Sequence, residues 1–406
     1  MAKIQNKAEL ENFIVTNWNK VNDFLDQYSK DLPLPIYSSV DIRESSEKFA
    51  PVDNNLYPAG FNNLCALDIK ASSERFHHYI LSRAGEAKKV GIITESHTKN
   101  TFYLDHLQSL KQALTAGGHQ VFFISLDPNL FADQKYLELS SNSLGELTIN
   151  LAEIKDNQLT IMESGDEIDF AILNNDQSSP IEVDWANLKT PVHPSPELGW
   201  FRREKARHFH FYHQVLTDFC NELEIEPTLM EASFDFVTGV NFSTKDGLAE
   251  VAGKIDELQA KVGGDKKIFV KASQGTYGMG ISVVESGEDI LSLNRKGRNK
   301  MDVGKNRKKF TTVVLQEGIE TMIKFGTSPA EVTIYLVGGE AVGGFMRANP
   351  LRSTTGNLNA KGMIYQKYCI SEIRQSCEHQ CKEAVYSIIA RLSTIAAALE
   401  TNEIIS

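Results

Sequence analysis

Ile268-Phe269-Val270-Lys271-Ala272-Ser273-Gln274-Gly275-Thr276-Tyr277-Gly278-Met279-Gly280-Ile281 reads as an apolar strand that delivers a lysine, a loop with three glycines, and the start of a second strand. Glycines let a backbone approach an anion closely and present N–H donors without side-chain obstruction. A lysine at a strand end can sit on a phosphate as a point charge. The plainer reading is a solvated lysine beside a β-turn. Other phosphate motifs are absent. There is no Gly-x4-Gly-Lys-Ser/Thr. Gly278-Met279-Gly280 lacks the third glycine of a dinucleotide fingerprint and leads into a strand, not a helix. No His-Arg-Asp or Asp-Phe-Gly kinase signature is present.

The segments that follow keep an order. Residues 294–310 are crowded with Arg295, Lys296, Arg298, Lys300, Lys305, Arg307, Lys308 and Lys309, either a solvated basic loop or a lid that meets a triphosphate. Val313-Val314-Leu315-Gln316-Glu317 ends a buried strand in an amide and a carboxylate, suited to an adenine amine and ribose hydroxyls. Residues 331–337, Gly338-Gly339 and residues 341–347 give a β-hairpin signal that delivers Arg347. A Gly/Asn loop, Thr355-Gly356-Asn357-Leu358-Asn359-Ala360-Lys361-Gly362, comes next. Cys377, Cys381, Val385, Ile388, Leu392 and Ile395 then recur at helical spacing.

Upstream, Phe13, Ile14, Val21, Phe24, Leu25 and Tyr28 predict a helix over 9–28, stopped by Asp31-Leu32-Pro33-Leu34-Pro35. Residues 36–67 read as irregular. A βαβ unit follows, with strands at 90–94 and 121–125 around a helix that ends at Gly117-Gly118. Residues 146–161 read as a hairpin turning at Asp156-Asn157, and the buried strand 170–173 leads into Asn174-Asn175-Asp176. Pro180, Pro191, Pro194 and Pro196 set a boundary near residue 195. The expected organisation is an N-terminal α/β substrate domain, 1–195, and a nucleotide-binding domain, 196–406, with a lid at about 265–330.

The 406 residues, 41% apolar and 23% charged, exclude wholesale disorder, a collagen-like fibre and a small disulfide scaffold. A net charge of −11 argues against a nucleic-acid-binding surface. The first residues lack the apolar core of a signal peptide, and no uncharged apolar run approaches the ~20 residues that span a bilayer. The five cysteines show neither Cys-x-x-Cys nor zinc spacing, and their odd number fits a reducing compartment. The chain is therefore expected to be cytoplasmic, with no membrane or nucleic-acid partner. Whether it forms a homo-oligomer is left open.

The order of motifs from 200 to 370 resembles the ATP-grasp superfamily, an α/β fold (α+β in the C-terminal half) that holds ATP between two subdomains. The resemblance implies a nucleotide site at Lys271, Gln274, Gly275, Tyr277, Gly278 and Gly280, with Gln316 and Glu317 as hinge. Arg347 would be the phosphate arginine, and Asn359 with Gly362 the small substrate loop. One departure stands out: no Glu-x-Asn metal pair follows that loop, apart from Glu400-Thr401-Asn402 at the end of a helix, where a rigid metal shell is not expected. Val52-Asp53-Asn54-Asn55-Leu56-Tyr57-Pro58-Ala59-Gly60-Phe61-Asn62-Asn63-Leu64 offers Asp53 and Asn55 instead, oxygen donors that suit Mg²⁺. The plainer alternative is an Asx-rich turn. That stretch is similar to the metal segment of the eukaryotic-type glutathione synthetases.

As a whole, the chain resembles the ATP-grasp type of bacterial glutamate–cysteine ligase. The resemblance implies ATP and Mg²⁺, with L-glutamate and L-cysteine as substrates, joined as γ-glutamylcysteine through an acyl phosphate. Arg43, Asn62, Asn63, Asn174, Asn175, Asp176 and Arg203 are the expected substrate contacts; Lys205, Glu95, His97 and Asn100 lie in the same segments. The alternatives are glutathione synthetase or another carboxylate–amine ligase, a phosphotransferase, and a nucleotide-binding protein without turnover.

Overall fold

The computed structural model describes residues 3–96, 99–242, 244–274, 281–294, 297–298, 311–370 and 381–405. Two helices, α1 (Lys7–Thr16) and α2 (Trp18–Ser29), lead into β1 (Tyr37–Glu44) and β2 (Phe49–Asn55). Helix α3 (Ala66–Ala84) is followed by β3 (Lys89–Thr94), α4 (Thr101–Ala116), β4 (Gln120–Ser125), β5 (Tyr136–Ser140), β6 (Glu146–Lys155), β7 (Gln158–Ile161), β8 (Phe170–Asn174) and β9 (Val192–His193). After α5 (Lys205–Leu223) come β10 (Phe234–Thr238), α6 (Lys245–Val262), β11 (Ile268–Ala272), β12 (Ile281–Val284), α7 (Gly287–Leu291) and β13 (Thr312–Glu317). Strands β14 (Lys324–Phe325), β15 (Ser328–Val337), β16 (Glu340–Ala348) and β17 (Ile364–Lys367) precede α8 (Cys381–Ile405).

Among the described residues these strands form three sheets. The first, ordered β5-β6-β4-β3-β8-β9, has a parallel centre and contains the βαβ unit β3–α4–β4. The hairpin β6–β7 turns at Asp156 and Asn157, both at positive φ. The second sheet, β10-β13-β11-β12, is antiparallel and packs its apolar face on α6 and α7 through Val251, Ile255, Val270, Ile290 and Leu315. The third, β17-β16-β15-β1-β2, sits between the other two. The result is a mixed α/β architecture.

The third sheet changes the reading of residues 36–67. They supply β1 and β2, with β1 buried along its whole length between β15 and β2. The sequence hides this because one face of β1 is polar. Val40 and Ile42 point into the main core, while Ser39, Asp41 and Arg43 alternate with them and face a cavity. Turn residues around position 55 look like loop until that cavity is in view. The sheet also joins 37–55 to 328–367, so it spans the expected boundary near residue 195.

Three further features differ from the sequence reading. The helix expected over 9–28 breaks at Asn17, whose Nδ2 donates to Phe13 O at 3.0 Å and competes with the helical ladder. Cys65 and Cys369 form a disulfide, with Cα atoms 5.6 Å apart, against the expectation of reduced cysteines. A separation of 304 residues leaves no spacing motif to read. Helix α8 contains a stretch long and apolar enough to cross a bilayer, but 89% of that stretch is buried in the fold, packed on α1, α5 and the third sheet.

Candidate active site

The polar face of the third sheet is the floor of a cavity of about 1040 Å³, walled by the first sheet at one end and the second at the other. Its floor is built by alternation. Ser39, Asp41 and Arg43 come from β1, Asp53 and Asn55 from β2, Glu331, Thr333 and Tyr335 from β15, and Phe345 and Arg347 from β16. Register fixes their neighbours: Asp41 lies across from Asp53 on one side and Thr333 on the other, and Glu331 across from Arg347.

These charges are paired. Arg43 Nε donates to Glu331 Oε2 at 2.8 Å, and Arg347 Nε donates to Glu331 Oε1 at 3.1 Å. Arg347 Nη2 forms an ion pair with Asp41 Oδ2, and Thr333 Oγ1 donates to Asp41 Oδ1 at 2.7 Å. Burial pushes both carboxyls up. Glu331, between two arginines, is nevertheless held below its usual range. Asp41 has one arginine and two acidic neighbours, and stays raised. Asp53 forms an ion pair with Lys205. Burial raises its carboxyl, but Lys205 and Lys271 outweigh burial and hold it low. Arg43, Glu331, Arg347 and Asp41 thus form a chain of alternating charges on three adjacent strands, with Asp53 beside it on the fourth strand of the floor.

At the end formed by the second sheet, Lys271 Nζ donates to Val52 O at 2.8 Å and Gln316 Oε1 at 2.6 Å. Burial pulls the Lys271 ammonium down to about 8, against the opposing pull of Asp53. Gln316 Nε2 is buried without a hydrogen-bond partner among the described residues. Glu317 Oε2 accepts from Lys48 Nζ at 2.9 Å and Ser233 N at 3.1 Å. Asn357 and Asn359 also join the lining, on the loop whose Gly356 O accepts from Arg43 Nη2 at 2.6 Å, with Asn359 N donating to Asn357 Oδ1 at 3.0 Å.

At the other end, Asn62, Asn63, Glu95, Asn100, Tyr103, His106, Asn174 and Asp176 face the cavity. Asp176 Oδ1 accepts from Ser178 N and Oγ, and Glu95 Oε1 accepts from Asp176 N at 2.7 Å. Gly60 seats the turn that carries Asn62 and Asn63. Its φ is +111°, and a Cβ there would stand 2.8 Å from Tyr335 Oη.

The structure therefore brings together most of the expected residues: Lys271, Gln316, Glu317, Arg347, Asn359, Arg43, Asp53, Asn55, Asn62, Asn63, Asn174 and Asp176. Three lie outside the lining. Asn175 is spent on Thr94 O and Gln177 N, and Gln274 reaches toward Glu204 at 3.5 Å. Arg203, 1% exposed, is clamped by both Glu400 oxygens at 3.1 Å and by the Asn54 carbonyl and side-chain oxygens at 2.9 Å. This buried ion pair also accounts for the late Glu400. Gly275, Tyr277, Gly278, Gly280, His97 and most of the basic run at 294–310 lie outside the described residues. Sequence reasoning passed over Asp41, Thr333 and Glu331. The available signal was the alternation Glu331-Val332-Thr333-Ile334-Tyr335, an amphipathic strand whose polar side carries a charge.

Comparison with known proteins decides among the chemistries this floor could serve. The sequence profile of the family GshA, glutamate-cysteine ligase, matches residues 11–401. The chain belongs to the glutamate–cysteine ligase family. It is accordingly an ATP-dependent ligase for glutamate and cysteine, with small-molecule substrates. Among solved structures it is similar to a proposed gamma-glutamylcysteine synthetase from Methylobacillus flagellatus KT, with TM-score 0.87 and 30% identity over 97% of this chain and 96% of that one. A D-alanyl-alanine synthetase A from Vibrio cholerae O1 is far more distant, with TM-score 0.35 and 14% identity over 65% of this chain and 68% of its own. No curated protein matches significantly.

Proposed function

We propose that the cavity floor is where the ligase reaction takes place, by an ATP-grasp mechanism with an acyl-phosphate intermediate. The observation that carries this is the run of paired charges from Arg43 through Glu331 and Arg347 to Asp41, set between a lysine-bearing end and an amide-rich end. The nucleotide lies at the Lys271 end. Gln316 Nε2, without a hydrogen-bond partner among the described residues, faces the base, Glu317 the ribose, and Lys271 the phosphates. The amino acids lie at the other end, where Asp176 takes an ammonium group and Asn62 and Asn63 a carboxylate.

A carboxylate is a poor electrophile. Attack of the glutamate γ-carboxylate on the γ-phosphorus of ATP releases ADP and leaves an acyl phosphate. The cysteine amine, once deprotonated, then attacks the carbonyl carbon and phosphate departs. No enzyme nucleophile is needed, only alignment of two anions and exclusion of water. Arg347 and Lys271 offset the charge on the transferring phosphoryl group, and Asn359 borders the reacting groups. Asp53 and Asn55, at alternate positions of β2 on the cavity face, present hard oxygen donors that fit Mg²⁺. Bound there with the nucleotide, the ion would supply charge neutralisation on the phosphate oxygens. The reading is tested by ADP release with glutamate alone, cysteine alone and both together. Full turnover is expected only with both, and turnover independent of either amino acid would contradict it.

A further inference from the structure

One buried histidine ties together the three segments that form the amino-acid end of the cavity. His106, on α4, is 1% exposed and borders the cavity. Its hydrogen bonds assign its proton. The Phe61 N–H donates to His106 Nδ1 at 3.2 Å, so Nδ1 is the bare nitrogen. Nε2 then carries the hydrogen and donates to Asn174 Oδ1 at 3.0 Å. Burial pulls the imidazole down to about 4, against the Asn174 bond, so the ring is neutral near pH 7.

The surrounding groups complete the inventory. The Tyr103 hydroxyl accepts from Glu95 N at 2.9 Å and offers its hydrogen to Asn174, with Oδ1 at 3.0 Å and O at 3.1 Å. Asn174 Nδ2 donates to Tyr37 Oη at 2.7 Å and Pro58 O at 3.3 Å, and Tyr37 donates onward to Leu173 O at 2.8 Å. Both donors and both acceptor positions of the Asn174 amide are thus used inside the protein. Asn174, read from the sequence as a substrate contact, lines the cavity and also serves as a junction inside the protein. It joins the end of β8 to α4 through His106 and Tyr103, and to the turn at 58–63 through Pro58. His106 grips the same turn a second time at Phe61.

We propose that His106 is a positioning residue for the amino-acid substrate: through the Phe61 and Asn174 amides it fixes the turn that presents Asn62 and Asn63 to the cavity. This rests on the reading that the amino acids bind at this end. The requirement is one acceptor and one donor on a single side chain, in fixed directions. A glutamine amide can reproduce that pair; leucine cannot.

The test is initial-rate kinetics on the full-length enzyme, with ATP, glutamate and cysteine each varied, alongside thermal midpoints. His106→Leu leaves a buried donor unpaired and is expected to raise the KM of at least one amino acid by about tenfold or more, with the KM for ATP unchanged. His106→Gln is expected to restore the amino-acid KM. The proposal is overturned if His106→Leu folds with unchanged amino-acid KM values, if the KM for ATP rises in parallel, or if His106→Gln is as impaired as His106→Leu. Should the leucine variant not fold, His106→Asn, too short to make both bonds, is judged by the same criteria. Asn63→Ala separates the two layers. If it leaves both amino-acid KM values unchanged, the placement of the substrates fails. If it raises one while His106→Leu does not, only the role of His106 fails.

Discussion

In the proposed site, Lys271 is the cation assigned to the nucleotide phosphates. It is a buried ammonium held between Val52 O and Gln316 Oε1, with burial drawing its pKa from 10.5 to about 8. Between those two values the unfolded chain keeps a proton that the folded chain has released. This group therefore adds stability as pH rises through that window and costs stability below it. A bound polyphosphate favours the charged form, so ATP affinity should weaken as pH rises past about 8. Lys271→Arg, whose guanidinium keeps its charge, should bind ATP with little change from about pH 7 to 9. Lys271→Ala should raise the ATP Kd by about 10- to 100-fold, the loss of one charge-assisted hydrogen bond. Calorimetric titration across this range checks both. Equal pH dependence in wild type and Lys271→Arg would remove Lys271 as the phosphate cation.

Among the elements, β2 works on both faces. Asp53 and Asn55 face the cavity, while Asn54 points back to Arg203 and, through its Nδ2, to Ser393 on α8 at 3.1 Å. The Arg203–Glu400 pair behind it is buried on both sides. Glu400→Gln strips a buried guanidinium of its counter-charge and should lower stability by about 3–5 kcal/mol, read as a shift in denaturant midpoint. Placed behind the strand, it should leave ATP affinity of the folded protein near wild type. Parallel loss of affinity would mean that Arg203 acts within the site. The same strand shows what could be read in advance. The Asp-x-Asn spacing identified the two cavity-facing residues. The partners of Arg203 could not be read, because Glu400 lies 197 residues away and only packing of α8 brings it near. Strand β1 stayed hidden for a related reason. Its polar residues look like loop when the sheet they line is unknown, whereas the β15–β16 hairpin announced itself through Gly338-Gly339 and long apolar runs.

For the molecule as a whole, the decisive fact is that β1 lies between β15 and β2, so residues 37–55 and 328–367 meet in the sheet that floors the cavity. Local signals gave the βαβ unit and the hairpins, but a pairing across roughly 300 residues leaves no local trace. A fragment of residues 1–195 would lose β15 and α8, which cover β1 and the α1–α2 side of the main core. It should show no cooperative thermal transition when expressed alone; a sharp two-state melt would show that the N-terminal half folds without the shared sheet. In the proposed mechanism, the glutamate γ-carboxylate and the γ-phosphate would meet over that sheet and react directly. Glutamate carrying oxygen-18 in its γ-carboxylate, turned over with ATP and cysteine, tests it most directly by mass spectrometry of the released phosphate. Transfer of one labelled oxygen into each phosphate is the expected result, and phosphate free of label would contradict it.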